Sequence, residues 1–394
     1  MKKILFITVV LVGMVLFSCQ KDEIPDIDSQ YQDLITSSAQ IIEGKYIVIY
    51  EDEGLLKSAS TGDKVSPEAV MKTTLDLFTK LQMSVREPEF VYNSALRGIA
   101  VEMTGKEALK MSKAPGVKGV YPDMMVKFDL PVVEGRPSSP SNVQYLPWGI
   151  TRIGGAADGT GKTAWIIDTG IDLTHPDLTV DASKGRSFVP KVDSPDDDNG
   201  HGTHVAGTVA ALDNSFGVVG VAAGATVVPV KVLNRQGSGA YSWIIAGVDY
   251  VAGMAERGDA ANISLGGPAY QPMDDAVYNL GKAGINVSLA AGNEAMDANN
   301  LSPARINGNN IYTISAMSSG DIWAYYSNYG NPPVDYCAPG NYVISAYKGG
   351  RYAIMSGTSM AAPHVCGLLL SGKITTDGYV TSDPDGDPDP IAHR

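Results

Sequence analysis

The segment TAWIIDTGID (residues 163–172) decides the fold, because an apolar run of strand length ends in an acidic residue, Asp168. About thirty residues later, NGHGTHVAG (199–207) places small residues at the start of an apolar helical stretch. Strands that alternate with helices are typical of α/β domains, whose sheets are mostly parallel. The sequence therefore predicts an α/β domain in this part of the chain.

Two further segments carry polar residues at comparable places. INVSLAAGN (285–293) is predicted as a strand that ends in glycine and asparagine, and GTSMAAPH (357–364) opens a second apolar helix. The carboxyl ends of parallel strands meet at one edge of a sheet, where functional sites form. The polar residues expected to converge there are Asp168, His201, Asn293 and Ser359.

The chain order of the acid, the histidine and the serine resembles that of subtilisin-type serine proteases. The resemblance runs from residue 143 to about residue 372, and it includes GSGAYSWIIAGV (237–248) and SLGG (264–267). It implies a three-layer α/β domain with a mostly parallel sheet. It also implies an endopeptidase that cleaves proteins and peptides through an acyl-enzyme, without a catalytic cofactor.

The resemblance gives each of the four residues a role. A serine hydroxyl is a poor nucleophile until a neutral imidazole takes its proton, so Ser359 is expected to attack and His201 to act as general base. Asp168 would hold the imidazole in the required tautomer. The Asn293 carboxamide and the backbone N–H of Ser359 would donate to the oxyanion of the tetrahedral intermediate.

The resemblance also implies where substrates bind. A peptide would add as a strand between two segments of the domain, so backbone pairing supplies affinity with little demand on sequence. Large apolar side chains would enter a pocket beside these segments, and Tyr241 would line an outer subsite. The residues expected to bind substrate are Gly237, Ser238, Gly239, Tyr241, Ser264, Leu265, Gly266, Ala290 and Gly292.

The loop LDNSFGV (212–218) resembles the tight calcium-binding loop of subtilisins. Calcium takes roughly six to eight oxygen ligands, and carboxylate, carboxamide and carbonyl oxygens are available here. The alternative is a loop that keeps its shape without the ion. In contrast, the acidic segment DPDGDPD (383–389) lacks the spaced glutamate of an EF-hand, and we expect a solvated tail. The expected ligands of a structural calcium ion are Gln144, Asp177, Leu212, Asn214, Phe216 and Val218.

A small α+β domain is predicted before the protease-like domain. KYIVIY (45–50) alternates as a strand, and a helix over 67–82 is expected to bury Met71, Leu75 and Phe78. Two more strands and a second helix follow, so the order β-α-β-α-β favours a ferredoxin-like sandwich.

The resemblance makes this small domain, over residues 41–130, the inhibitory propeptide of the enzyme. Residues 131–142 are rich in proline and serine and are predicted as a linker, with the catalytic domain over 143–394. Leu130 is the expected residue before a self-processing cut.

The first residues resemble a bacterial lipoprotein signal. A basic start and an apolar run over residues 1–18 precede Cys19, which would be lipidated and would become the mature N-terminus. Residues 19–40 are predicted as a flexible tether. Acyl chains would hold the protein on a membrane without spanning it. The expected location is the outer membrane, with exposure at the cell surface or release once the propeptide is removed.

Composition excludes several classes of function. The 394 residues include 30 basic and 43 acidic side chains, and the net charge of −13 argues against nucleic acid as a partner. After the first 20 residues there is no run of 18 apolar residues, so no membrane-spanning helix is predicted. Three cysteines support neither a disulfide scaffold nor a four-ligand zinc site. We expect Cys337 and Cys366 to be buried free thiols.

Two other functions fit parts of the pattern. One is a catalytically silent surface protein that binds partners in the same cleft, although the four intact polar residues argue against it. The other is a protein whose small domain chiefly inhibits other proteases. Near the four residues, His204 and His364 are expected to have packing roles, and Asp172 and Asp198 to be solvated loop residues.

Overall fold

The computed structural model describes residues 27–36, 38–51, 65–128, 130–134, 138 and 143–394. The predicted signal peptide (1–18), Cys19 and the first part of the tether lie outside the described residues. So do residues 135–137 and 139–142 of the predicted linker. Within the described ranges, no helix has the length and apolar character needed to cross a bilayer.

Among its described residues, the N-terminal domain has four strands and two α-helices: β1 (Ala39–Tyr50), α1 (Pro67–Lys80), β2 (Phe90–Tyr92), β3 (Gly98–Glu102), α2 (Gly105–Met111) and β4 (Val117–Lys127). The strands form an antiparallel sheet in the order β4-β1-β3-β2. Both helices cover one face of this sheet. The result is the ferredoxin-like arrangement, with one strand, β2, that the sequence analysis did not predict.

Both faces of β1 are buried over residues 46–50, which explains the uninterrupted apolar run YIVIY at those positions. Tyr46 and Val48 pack against α1 and α2 in the core of the N-terminal domain. Ile47 and Ile49 face the other way and join a core cluster that extends into the C-terminal domain. The N-terminal sheet therefore lies between its own helices and the rest of the protein.

The predicted apolar face of α1 is wrong in its details. Leu75 is 40% exposed, because the helix is rotated so that neighbouring positions meet the sheet. The hydroxyl of Thr74 completes this face by bonding to Tyr50 Oη and to the Val70 carbonyl. The residues that α1 buries are Val70, Thr74, Leu77 and Phe78.

Part of the predicted tether is ordered on the N-terminal domain. Residues Ile27–Leu34 form a 3-10 helix, and Ile27 is buried in the core of that domain. The Tyr46 hydroxyl donates to the Asp28 carboxylate at 3.2 Å. Tyr31 makes an edge contact with Tyr121. Ile27 and Tyr31 pack on the N-terminal domain, so a wholly flexible tether over 19–40 is wrong for residues 27–34.

The C-terminal domain follows. Its helices are α3 (Trp148–Arg152), α4 (His201–Ala210), α5 (Tyr241–Met254), α6 (Gln271–Lys282) and α7 (Thr358–Ser371). Its strands up to the middle of the domain are β5 (Ala157–Asp158), β6 (Thr163–Asp168), β7 (Thr179–Val180), β8 (Arg186–Ser187), β9 (Ala222–Ala223), β10 (Thr226–Lys231), β11 (Ser238–Ala240), β12 (Ala260–Ile263) and β13 (Gly267–Pro268). The later strands are β14 (Asn286–Ala290), β15 (Leu301–Ser302), β16 (Ile311–Ser318), β17 (Ile322–Trp323), β18 (Val334–Pro339), β19 (Val343–Tyr347), β20 (Arg351–Met355), β21 (Thr375–Tyr379) and β22 (Pro390–His393).

The main sheet is parallel through its centre, in the order β10-β6-β12-β14-β16-β18. Successive residues of β6 face opposite cores. Trp165 and Ile167 pack with α5 and α6, whereas Ala164 and Ile166 pack with α4 and α7. Helices therefore cover both faces of the sheet, which is the three-layer α/β architecture that was predicted.

The acidic segment 383–389 is not a solvated tail throughout. It joins β21 to β22, and β22 extends the main sheet by pairing in parallel with β18. Asp389 is 1% exposed and accepts a hydrogen bond from the Ser315 hydroxyl, while burial raises the pKa of Asp389 to about 7. Cys337 and Cys366 are buried and unpaired, as predicted.

The two domains dock through carboxylates on each side of the interface. Asp249 of α5 accepts hydrogen bonds from the backbone N–H groups of residues 93–96 at 2.7–3.2 Å. Asp123 of β4 accepts from the N–H and the hydroxyl of Ser242, in the first turn of α5, at 3.0 and 2.6 Å. Burial raises the pKa of Asp123 to about 6.

We predict that Asp249→Ala loosens this interface. Removing the carboxylate leaves several buried donors unpaired, and each costs about 1–3 kcal/mol, so amide hydrogen exchange at residues 93–96 should accelerate roughly tenfold or more. The measurement is hydrogen exchange by mass spectrometry on the Ser359→Ala chain, in which the domains should stay covalently joined.

Asp275→Ala is the matched control for this prediction. It breaks the Lys118–Asp275 ion pair across the same interface, where the lysine side chain is 53% exposed. Exposed pairs of this kind contribute about 0–1 kcal/mol, so exchange at residues 93–96 should hardly change. Equal acceleration in both variants would contradict the role assigned to Asp249.

Candidate active site

Asp168 and His201 are brought together at the carboxyl edge of the sheet. Asp168 is the last residue of β6, and His201 is the first residue of α4. Both side chains are fully buried, and His201 Nδ1 lies 2.8 and 3.0 Å from the two carboxylate oxygens of Asp168. This contact fixes the imidazole orientation. The opposite ring atom, Nε2, is buried and makes no hydrogen bond to any described residue.

Ser359 and Asn293 lie at the same edge. Ser359 is in the first turn of α7, and its hydroxyl donates to the Ser264 carbonyl at 3.2 Å. Asn293 follows β14, and its Oδ1 accepts hydrogen bonds from the N–H and the hydroxyl of Thr358 at 2.8 and 3.0 Å. Because Oδ1 is held by Thr358, the amide orientation is fixed and Nδ2 is left as a donor.

The end of the N-terminal domain pairs with the C-terminal domain beside these residues. Strand β4 pairs antiparallel with β11, so that Gly239 lies opposite Val126 and Ser238 opposite Lys127. The next contact is from the Phe128 N–H to the Gly237 carbonyl at 3.1 Å. The segment 237–239 therefore already holds a strand, which is the mode of peptide binding that was predicted for it.

A narrow cavity lies next to Ser359, and the predicted pocket residues line it. Phe128 and Leu130 from the end of the N-terminal domain form part of its wall, and about 30 Å³ is left inside. Tyr241 stacks on Tyr270 with ring centroids 4.2 Å apart. Its hydroxyl donates to the Pro268 carbonyl at 2.6 Å. The predicted residues that line the cavity are Ser264, Leu265, Gly266, Ala290 and Gly292.

Comparison with known proteins identifies this arrangement. A model described as "Subtilase family" matches residues 159–373, more than half of the chain. The chain belongs to the subtilase family. A model described as "Peptidase inhibitor I9" matches residues 45–129, within the N-terminal domain. The chain is thus a subtilisin-like serine protease that carries its own inhibitor-type propeptide domain.

Individual relatives agree with this assignment. The extracellular serine proteinase of Thermus sp. (strain Rt41A) is 35% identical over 396 residues, which covers 95% of this subtilase and 90% of the relative. The cuticle-degrading protease of Metarhizium anisopliae is 34% identical, with 87% and 84% covered. The crystal structure of a cold adapted subtilisin-like serine proteinase matches with a TM-score of 0.57 and 36% identity, over 64% of this chain and 98% of that one.

The predicted calcium ligands of this subtilase also come together. Gln144 Nε2 donates to the carbonyls of Leu212 and Val218 at 2.7 and 3.3 Å. Asp177 accepts from Asn214 Nδ2 at 2.7 Å and from the Val218 N–H at 3.0 Å. Phe216 joins them, because its N–H donates to Asn214 Oδ1 at 2.8 Å. One carboxylate, two carboxamides and loop carbonyls thus share one small region.

His204 and His364 have the packing roles that were predicted for them. His204 Nε2 lies 3.1 Å from the carbonyls of Val343 and Ala353, and burial lowers its pKa to about 3. His364 Nδ1 lies 2.8 Å from the Met360 carbonyl, and burial lowers its pKa to about 4. Both rings are therefore neutral at ordinary pH.

Of the two acidic residues near the site, Asp172 differs from the sequence-based expectation and Asp198 is exposed as expected. Asp172 is buried rather than solvated, and its carboxylate accepts from the N–H groups of Gly349 and Gly350 at 2.8 and 3.0 Å. Asp198 is partly exposed and pairs with the buried ammonium of Lys231 at 2.7 Å. Sequence reasoning missed both contacts, because each partner lies far away in the chain.

Proposed function

We propose that this serine protease is a secreted endopeptidase in which Ser359 is the nucleophile, His201 the general base and Asp168 the residue that orients the imidazole. The observation that carries the proposal is the buried Asp168–His201 contact at 2.8 Å, which leaves Nε2 available for the serine proton. The serine hydroxyl would turn from the Ser264 carbonyl to His201 when substrate is bound. Catalytic hydrogen bonds are often formed fully only at that stage.

The reaction follows from these positions. Ser359 Oγ attacks the carbonyl carbon of the scissile peptide bond while Nε2 of His201 takes its proton. The oxyanion that forms would be stabilised by Asn293 Nδ2 and the Ser359 N–H. When the C–N bond breaks, His201 returns the proton to the leaving amine and an acyl-enzyme remains. Water then attacks this ester with His201 again as base, which releases the acid and restores the serine.

We infer a broad specificity that favours large apolar side chains. Substrate would pair with 237–239 as β4 does, and such pairing uses backbone groups that every peptide offers. The neighbouring cavity has small and apolar wall residues, including Leu265, Ala290 and Gly292, which leave room for a substrate side chain. Phe128 and Leu130 line this cavity and are themselves large and apolar, like the side chains that we propose the enzyme prefers in its substrates.

We propose that the chain cuts itself near Leu130. The chain is held on both sides of Leu130: the Phe128 N–H donates to the Gly237 carbonyl, and the Glu134 N–H donates to the Ile354 carbonyl at 2.8 Å. Pro131 lies close to Gly357, two residues before the nucleophile. The proposed parts are the propeptide (41–130), the linker (131–142) and the catalytic domain (143–394).

A structural calcium ion and a lipid anchor complete the proposal. Carboxylate, carboxamide and carbonyl oxygens are the ligands that calcium prefers, and Asp177, Asn214, Gln144 and the loop carbonyls supply them. Gln144 would turn its amide so that Oε1, rather than Nε2, faces the ion. When bound, the ion would join the start of the catalytic domain to the 212–218 loop.

Export fits the extracellular relative from Thermus. Lipidation of Cys19 is supported by the signal-like sequence, and incorporation of a labelled fatty acid that is lost in Cys19→Ser would test it.

Ser359→Ala should abolish peptide hydrolysis and leave the chain uncut, because it removes the hydroxyl that is proposed to form the acyl-enzyme. Mass spectrometry of the purified chain and a fluorophosphonate label would measure both effects. Ser371→Ala, at the exposed end of the same helix, is the control and should mature normally. A correctly matured Ser359→Ala chain from a protease-free preparation would contradict self-processing. Absence of labelling in the matured parent enzyme would favour the silent binder.

Asn293→Ala should lower kcat by about a hundredfold to a thousandfold with little change in KM, because its donor meets a charge that exists only near the transition state. Asn293→Asp sharpens the test. It keeps the oxygen that Thr358 holds but removes the N–H donor, so the loss should be at least as large. Unchanged kcat with a raised KM would instead indicate a role in substrate binding.

Calcium should raise the melting temperature of the Ser359→Ala chain relative to excess chelator. Free calcium at a hundred dissociation constants stabilises the folded state by about 2.7 kcal/mol. Asp177→Asn should remove most of this difference, whereas Asp213→Asn, an exposed acid in the same loop, should retain it. Identical melting curves with and without calcium would show that the loop keeps its shape without the ion.

A further inference from the structure

The carboxylate of Asp197 lies where the elements that carry Asp168 and His201 meet. This residue is in the loop before α4 and is 5% exposed. Its Oδ1 accepts a hydrogen bond from the hydroxyl of Thr169, the residue after Asp168, at 2.9 Å. Its Oδ2 accepts from the hydroxyl and the N–H of Thr203, in the first turn of α4, at 2.6 and 2.9 Å.

The same carboxylate completes the start of α4. An α-helix leaves its first N–H groups without intrahelical partners, and the residue at the cap position, Gly200, has no side chain to accept from them. The N–H groups of Gly200 and Thr203 donate to Asp197 at 2.8 and 2.9 Å. The N–H of Gly202 donates to Thr169 Oγ1 at 2.9 Å. Asp197 and Thr169, the residue after β6, therefore accept the hydrogen bonds that a capping side chain would otherwise accept.

We propose that Asp197 is a positioning residue that sets the place of His201 relative to Asp168. The inference rests on the catalytic roles proposed above. Asp197 accepts from one residue that follows Asp168 and from one that follows His201, so it joins the strand end to the helix start directly. It makes no contact with the cavity beside Ser359. Asp197 therefore acts on the reaction through the position of His201 relative to Asp168.

The chemistry of the contacts explains why an ionised carboxylate is required. Every group that bonds to Asp197 is an N–H or O–H donor, so both oxygens act as acceptors throughout. An asparagine in the same volume would turn an NH₂ group toward one set of donors. Either the Thr169 contact or the Thr203 contact would then be lost, and α4 would be free to shift against β6.

The main experiment compares Asp197→Asn with Asp196→Asn, with kcat taken per active site titrated by fluorophosphonate. Asp196 is the adjacent residue, is exposed, and accepts from the Leu173 N–H outside this network. A displacement of about 1 Å can cost roughly a hundredfold in rate, so Asp197→Asn should lower kcat about tenfold to a hundredfold. KM should change by less than about threefold, because the substrate-binding segments are untouched.

A second pair of variants keeps the test decisive if Asp197→Asn does not fold. Thr169→Val removes the hydroxyl that joins Asp197 to Gly202, whereas Thr169→Ser keeps a hydroxyl at the same place. We expect Thr169→Val to lower kcat and Thr169→Ser to retain most of the parent value. In the double variant Asp197→Asn/Thr169→Val the losses should not multiply, because both substitutions break one connection.

The outcomes separate this inference from the proposed function. If His201→Ala retained activity, the proposed catalytic roles would be wrong. If His201→Ala were inactive while Asp197→Asn matched Asp196→Asn in kcat, the positioning role would be overturned. It would also be overturned if Thr169→Val lowered the melting temperature but left kcat within twofold of the Thr169→Ser value.

Discussion

The parallel pairing of β6 with its neighbours is the constraint on which the rest of the structure depends. Its register places Asp168 opposite Lys231 at the end of β10, while β12 and β14 end at the same edge of the sheet. Strands that run in one direction must be joined by crossovers, so α4 and α7 begin at that edge. The acid, the imidazole, the carboxamide and the serine all lie at that edge because the sheet has a single carboxyl edge.

The N-terminal domain packs against the C-terminal domain, and its last residues lie beside Ser359 at that edge. Its sheet has two buried faces, one against its own helices and one against α5 and α6, so it depends on the catalytic domain to cover the second face. Strand β11 of the C-terminal domain pairs antiparallel with β4 and is the fifth strand of the same sheet. In the proposed function, inhibition and substrate binding draw on one interaction, the pairing of an extended segment with residues 237–239. The reciprocal carboxylates Asp123 and Asp249 fix the domain in the position that delivers this segment.

The sequence pattern predicted those strands and helices correctly whose apolar residues recur with the period of the element itself. The run from 163 to 168 and the helices opening at His201 and Thr358 could be predicted, because the sheet and helices that bury them are built from such periodic segments. The rotation of α1 could not be predicted in detail. Two or three of its faces are similarly apolar, and the sheet it packs on selected the one with Val70 and Leu77.

The sequence by itself determined the fold class, the family and the four residues proposed for catalysis, because each lies in a motif whose residues are adjacent in the chain. Tertiary structure alone decided the surroundings of the acidic residues. Asp172, Asp197 and Asp389 all look like loop or tail carboxylates in sequence, yet each is buried and bonded to donors that are placed by folding. A carboxylate can be buried only where enough N–H and O–H groups converge on it, and this convergence is a property of the packed chain rather than of any short segment.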